Sequence, residues 1–205
     1  VKYANGDGLK KDSAEAVIWY RKAAEQGLVP AQHNLAFMLL SGRDVPRNHS
    51  EAFNWFRKAA KAGLPDSQFN ISLMYKDGVG VEENGAKALE WAVMAAKQGH
   101  LGAQRNAGAW YGLGEGVEVD DKEAFKWYLM AAIQGDKSSR VITGVRYASG
   151  VGISKNVVRA YGWLLASDSV EAISYLDKIE EGLSKLEIEK GEAYAVCIET
   201  NYQDC

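Results

Sequence analysis

The stretch Asn48-His-Ser-Glu51-Ala-Phe-Asn-Trp55-Phe-Arg-Lys-Ala59-Ala60-Lys-Ala-Gly63 decides the fold, because its structural cues recur at one constant distance. Ala52, Trp55, Phe56, Ala59 and Ala60 fall at i, i+3, i+4, i+7 and i+8, the spacing of one face of an α-helix. Asn48 offers a side-chain acceptor to the orphan N–H groups of the first turn, and Glu51, three places on, completes a capping box. A shift of 36 residues carries Trp55 onto Trp19, Trp91, Trp127 and Trp163 without a gap, and Ala52 onto Ala16, Ala88, Ala124 and Ala160. The cap column reads Asp12, Asn48, Asn84, Asp120 and Asn156. Glu15 and Glu123 repeat the box, whereas Lys87 and Arg159 stand in its second position and predict weaker capping there.

Ahead of this trailing helix each unit carries a shorter, leading one. Its inner face is marked by Ala31, Leu35 and Leu39, then by Ser67, Ile71 and Tyr75, then by Ala103, Ala107 and Tyr111. Glycine in a helix interior costs roughly 0.5–1 kcal/mol relative to alanine. The 21 glycines are compatible with a helical chain because most lie in three columns between helices. These are Gly27, Gly63, Gly99 and Gly135; Gly6, Gly42, Gly78, Gly114 and Gly150; and Gly8, Gly80, Gly116 and Gly152, the last interrupted at Asp44. Connectors such as Gly78-Val-Gly-Val81 and Gly150-Val-Gly-Ile153 are expected to take positive φ at the helix C-terminus, their last residue filling the gap between helices.

A lone αα-hairpin leaves an apolar face exposed, so successive units must stack. The expected fold is all-α: a right-handed αα superhelix, or solenoid, of 36-residue helix-turn-helix repeats over residues 1–168. A partial first unit is followed by units near 28–63, 64–99, 100–135 and 136–168. Beyond Asp168 the period is lost, and residues 169–181 and 184–199 read as two further helices, the second opened by the box Ser184-Lys-Leu-Glu187. Residues 169–205 are thus expected to cap the array. The 205 residues carry a net charge of -3 with both signs interspersed, which lacks the basic footprint of a nucleic-acid binder. No apolar run approaches the ~18–20 residues that span a bilayer.

With these columns in hand, the chain resembles the Sel-one-like repeat (SLR) family, relatives of the tetratricopeptide repeats with a slightly longer unit. Ala31-Gln-His-Asn-Leu35, Gly42 and the run from Glu51 to Gly63 look like one full family unit, and the likeness recurs over residues 1–168. The departures are Asp44 and Ser167-Asp168, which replace a connector glycine and an Ala-Ala pair. Tyr3 and Gly6 match the end of a leading helix, so an upstream segment is expected. The resemblance implies adaptors, bacterial host-interaction factors, and immunity proteins that neutralise secreted lipase effectors.

Catalytic and ligand-binding readings fare worse than packing ones. The tryptophans recur with the alanines of the same helical face and read as core rather than as an aromatic ligand strip. Gly112-Leu-Gly-Glu-Gly116 follows a helix and lacks the Lys-Ser/Thr of a phosphate loop. His33, His49 and His100 occupy different columns, away from both cysteines in sequence, so no metal site and no cofactor is expected. Family members linked to β-lactam hydrolysis suggest an enzyme, yet Ser-x-x-Lys, Ser-Asp-Asn, Lys-Thr-Gly and Gly-x-Ser-x-Gly are all missing from this chain. Asn48-His-Ser50 and Asn70-Ile-Ser72 match the glycosylation pattern but belong to recurring asparagine columns. Cys197 and Cys205 can close a small disulfide loop, which would imply a periplasmic or secreted location. Two thiols in a reducing cytosol are the alternative.

Function is expected where the units refuse to repeat. On the leading helices, the face opposite the alanine column runs through His33, Phe37 and Leu40, then Phe69, Leu73 and Lys76, then Arg105, Ala109 and Gly112, and finally Val141, Val145 and Ala148. Beside it Met38 and Met74 give way to Trp110 and Arg146. A groove of Phe, Met and Trp edged by Arg has the composition of a protein-binding hot spot. The expected function is therefore non-catalytic binding of a protein partner in the solenoid groove. The specific form that the family resemblance implies, given a terminal disulfide, is a bacterial periplasmic adaptor or an immunity protein against a secreted toxin, a type VI lipase-type effector. A cytosolic signalling scaffold and a hydrolase of unrecognised type are the alternatives.

Overall fold

The structure, a computed structural model, describes residues 13–42 and 45–202. Among them lie eleven α-helices and no strand. In chain order these are α1 (Ser13–Glu25), α2 (Val29–Ser41), α3 (His49–Lys61), α4 (Pro65–Asp77), α5 (Gly85–Lys97), α6 (Leu101–Leu113), α7 (Asp121–Ile133), α8 (Lys137–Ser149), α9 (Val157–Ala166), α10 (Val170–Glu180) and α11 (Lys185–Asn201). Even-numbered helices from α2 to α8 are the leading helices, and odd-numbered ones from α1 to α9 the trailing helices. The chain falls into two compact units, Val1–His100 and Leu101–Cys205.

The cap column acts as its chemistry requires. Asn48, Asn84, Asp120 and Asn156 each accept the backbone N–H three residues on, at 3.1, 2.9, 3.0 and 2.9 Å. Lys87 and Arg159 therefore do not weaken this half of the cap. The reciprocal half differs from expectation at Glu51 and Glu123. Glu51 meets Arg21 and accepts the Trp55 indole N–H at 3.3 Å, while Glu123 pairs with Lys126 at 2.9 Å. A full reciprocal box forms at Ser184 and Glu187. Asp12, Gly6, Gly8 and Asp44 lie outside the described residues.

Helix ends follow the glycines. Gly42, Gly78 and Gly150 sit in the left-handed region at φ 67, 65 and 79°, returning their N–H groups to Met38, Met74 and Arg146. The third column has a second reason to be glycine: a Cβ on Gly80 would lie 2.3 Å from the His49 carbonyl oxygen. Gly152 repeats the approach, 2.0 Å from that of Asp121.

Each compact unit has its own core. In residues 1–100 it gathers Leu35, Ala36, Phe53, Trp55, Phe56 and Ile71; in residues 101–205, Phe125, Tyr147, Ala160, Trp163 and Ile198. An edge-on aromatic pair recurs with the period, Phe53 on Tyr75 at 5.3 Å and Phe125 on Tyr147 at 5.2 Å. A buried polar column accompanies it. Gln32 and Gln68 donate to the carbonyls of Ala24 and Ala60 at 3.2 and 3.1 Å, adding a side-chain donor to last-turn carbonyls that also accept the N–H groups of Gly27 and Gly63. Arg140, in the same column, serves Ala132 at 3.1 Å and reaches the Ala166 carbonyl as well.

The last two helices run 170–180 and 185–201, close to the expected spans. α11 lies on α9 through reciprocal glycine–tyrosine contacts. Gly162 leaves room for the Tyr194 ring and Gly191 for that of Tyr161, each ring atom 2.7 Å from where a Cβ would be.

Candidate functional site

In residues 1–100, α2 and α4 bring the expected side chains to one neighbourhood with unequal exposure. Phe37 is 55% exposed on the middle turn of α2. His33, one turn earlier, is half-buried: its Nδ1 lies 2.8 Å from Ser67 Oγ and its ring meets Phe56 edge-on at 5.4 Å. Burial lowers the His33 pKa, with the Asp66 carboxylate opposing the shift. Phe69 on α4 lies under the His100 ring at 4.4 Å, and His100 Nε2 stands 3.5 Å from Asp66 Oδ1. Leu40 packs against the core, and Leu73 and Lys76 are half-buried. This surface is aromatic and close to neutral, with Phe37 its most exposed apolar group.

In residues 101–205 the same columns carry charge and aliphatic groups. Arg105 is half-exposed and lies 3.6 Å from Asp136. A cleft of about 310 Å³ opens between α8 and α10, lined by Val141, Val145 and Arg146 from the expected face and by Ile142, Val151 and Tyr175 beside them. Tyr175 belongs to α10, where the period is lost, so the repeat pattern gave no signal for it.

Two expected site residues are less open than their sequence positions suggest. Trp110 is buried, at 6% exposure, so it cannot contribute the open indole read from the sequence. The reason is angular: Trp110 follows the buried Ala103 and Ala107 at i+7 and i+3, which places it on their face. Arg146 holds the equivalent position one period on and is pinned, its Nη1 3.0 Å from Asp121 Oδ1 and its guanidinium 5.6 Å from the Tyr128 ring. Gly112 faces that guanidinium where a Cβ would come within 3.0 Å of it. The glycines of 112–116 thus serve packing and a connector, with Gly114 and Gly116 at positive φ. Among the described residues no group of three or more His, Cys, Asp or Glu could hold a metal ion, and no helix is long and apolar enough to cross a membrane.

Five successive stretches, residues 3–28, 29–64, 65–100, 102–136 and 143–167, match the family described as Sel1 repeat. The chain belongs to the Sel1 repeat family. Among solved structures it is similar to c5321, a protective antigen present in uropathogenic Escherichia coli strains and displaying an SLR fold, at 32% identity and TM-score 0.85. That likeness covers 95% of this chain but 44% of c5321, so the chain spans less than half of that relative. A Sel1 repeat protein from Oxalobacter formigenes is 30% identical at TM-score 0.80, covering 98% of this chain and 84% of the other. The immunity protein Pa5087 from Pseudomonas aeruginosa is 18% identical at TM-score 0.47, covering 97% and 81%, a likeness too weak to carry an argument. No curated protein matches. Sel1 repeats generally serve as protein-interaction modules, typically non-catalytic scaffolds.

Proposed function

We propose that this Sel1 chain is a non-catalytic module that holds a protein partner against the variable faces of its leading helices. The observation that carries the reading is Phe37, 55% exposed on α2 one turn after the half-buried His33, while Leu35 and Ala36 on the same helix are buried. An exposed aromatic on a helix that is packed along its other face suits the anchor of a protein interface. Arg105 and the Val141–Val145–Tyr175 cleft supply contacts of different chemistry in residues 101–205.

The specific form is a bacterial periplasmic adaptor or an immunity protein that neutralises a secreted, type VI lipase-type effector. It rests on the family resemblance and on a Cys197–Cys205 disulfide, which an oxidising compartment would maintain. Cys197 is half-buried late in α11, and Cys205 lies outside the described residues. Capture from the native cell extract, with secreted lipases encoded nearby tested first, identifies the partner. Phe37→Ala should then weaken that complex at least about tenfold, or ~1.4 kcal/mol. Unfolding should stay within about 0.5 kcal/mol of the parent, as expected for an exposed position. Unchanged affinity would overturn the surface, and absence of binding by every nearby lipase would overturn the immunity role.

A further inference from the structure

The cap column holds three asparagines whose surroundings differ, and the differences bear on their chemistry. Asn48 precedes His49, Asn156 precedes Val157, and Asn84 precedes Gly85, the one Asn-Gly step among the described residues. An asparagine side chain loses ammonia when the backbone nitrogen of the next residue attacks its Cγ, and a following glycine, with no Cβ, leaves that nitrogen unhindered. Beside Asn48 and Asn156 the side chains of His49 and Val157 crowd the attack. Gly85 also opens α5, where an N–H has no partner within its own helix. Asn48 is restrained in a second way: its Nδ2 donates to Glu51 Oε2 at 3.3 Å. Lys87 stands in the place of Glu51 and has no acceptor to offer the Asn84 amide. Asn84 and Gly85 are both half-buried, within reach of water and base.

We propose that Asn84 is a deamidation site whose reaction is gated by the first turn of α5. A base takes the Gly85 amide proton, the nitrogen bonds to Asn84 Cγ, and the Cγ–Nδ2 bond breaks as ammonia departs with a proton returned by the base. Water then opens the five-membered imide. Cleavage of the new Cγ–N bond yields aspartate, whereas cleavage of the original peptide bond routes the main chain through Cγ as isoaspartate. Asparagine and water thus become an acid and ammonia, with no oxidant or cofactor. The fold withholds the first step. Asn84 is extended at φ -155° and ψ 97°, its side chain accepts the Lys87 N–H at 2.9 Å, its carbonyl accepts the Ala88 N–H at 2.9 Å, and its own N–H donates to the Tyr75 carbonyl at 2.8 Å. Bringing the Gly85 nitrogen onto Cγ turns the Asn84 Cα–C bond, which lies between these contacts and cannot turn while all of them hold. The turn must open first, and helix ends open at low free energy. The two products then part. Aspartate suits the column, since Asp120 makes the same cap, whereas isoaspartate lengthens the main chain by one carbon and misplaces it. This site is separate from the Phe37 surface and does not depend on it.

The test is peptide mapping by mass spectrometry of the full chain held at mildly alkaline pH. Acid formation, part of it isoaspartate, is expected at Asn84 at least about tenfold faster than at Asn48 or Asn156 in the same sample. Asn5-Gly6, outside the described residues, is followed in its own peptide. Gly85→Ala should slow conversion at Asn84 by at least about tenfold, and the variant should fold, because His49, Asp121 and Val157 carry side chains at the same position of their units. Unfolding in guanidinium chloride should speed the wild-type reaction by at least about tenfold, because the cap is lost. Conversion at Asn84 no faster than at its two column mates, or indifferent to Gly85→Ala, overturns the site. Equal rates in the folded and unfolded chain overturn the gating, and with it the proposal.

Discussion

Trp19 and Trp55 share one residue type, one helix position and an indole bonded to the glutamate four residues earlier, at 3.0 and 3.3 Å. They differ in what covers them. Trp55→Ala removes a ring from a packed core and should cost about 3–5 kcal/mol. Trp19→Ala, at an exposed site, should cost about 1 kcal/mol or less. Urea unfolding of both variants checks the pair, and equal losses would contradict the burial difference. His33 gives a pH signature whose sign follows from its surroundings. Burial depresses its pKa, so folding favours the neutral ring. Its stabilising contribution is complete above the ordinary histidine value of about 6.5 and is lost as pH falls through the lower folded value. The denaturation midpoint should drop less between pH 7.5 and 5 in His33→Gln than in the parent. An identical drop in both would exclude His33 as the source.

At the scale of the element, the columns that recur are those in which backbone geometry leaves few choices. Asx caps and connector glycines were legible in the sequence because an orphan N–H and a positive φ each select a narrow set of residues. Gly80 adds a close approach to His49 that no single-helix argument could reveal. Gly80→Ala should accordingly destabilise by about 2 kcal/mol or more, combining left-handed strain with displacement of the α3 backbone. Gly63→Ala, at φ 95° with nothing within 4 Å of the added carbon, should cost only the strain, about 1–2 kcal/mol. Equal effects, measured by chemical denaturation, would remove the clash from the account. The capping boxes show the converse. Glu15 and Glu51 are drawn to the tryptophan indoles, an acceptor role invisible in the Asx-x-x-Glu pattern.

For the whole molecule, the terminal cysteines make the sharpest prediction. Protein purified without reductant should titrate no free thiol before reduction and two after it, if Cys197 and Cys205 are bonded as proposed. Two reactive thiols at the outset would remove the main support for a periplasmic location. The period by itself determined that the chain is a helical repeat, because stacking hairpins require the same small, aromatic and cap residues at every turn. It also pointed to the leading helices as the place where units differ. It could not determine which differing residues reach the surface. Phe37 and Trp110 both interrupt a repeating pattern, yet one is half in solvent and the other in the core. The burial of each position depends on the helix facing it, and Tyr175, from a segment outside the period, completes a cleft begun by Val141 and Val145. Only tertiary structure decides these cases, since helical periodicity describes one helix and exposure is a property of several.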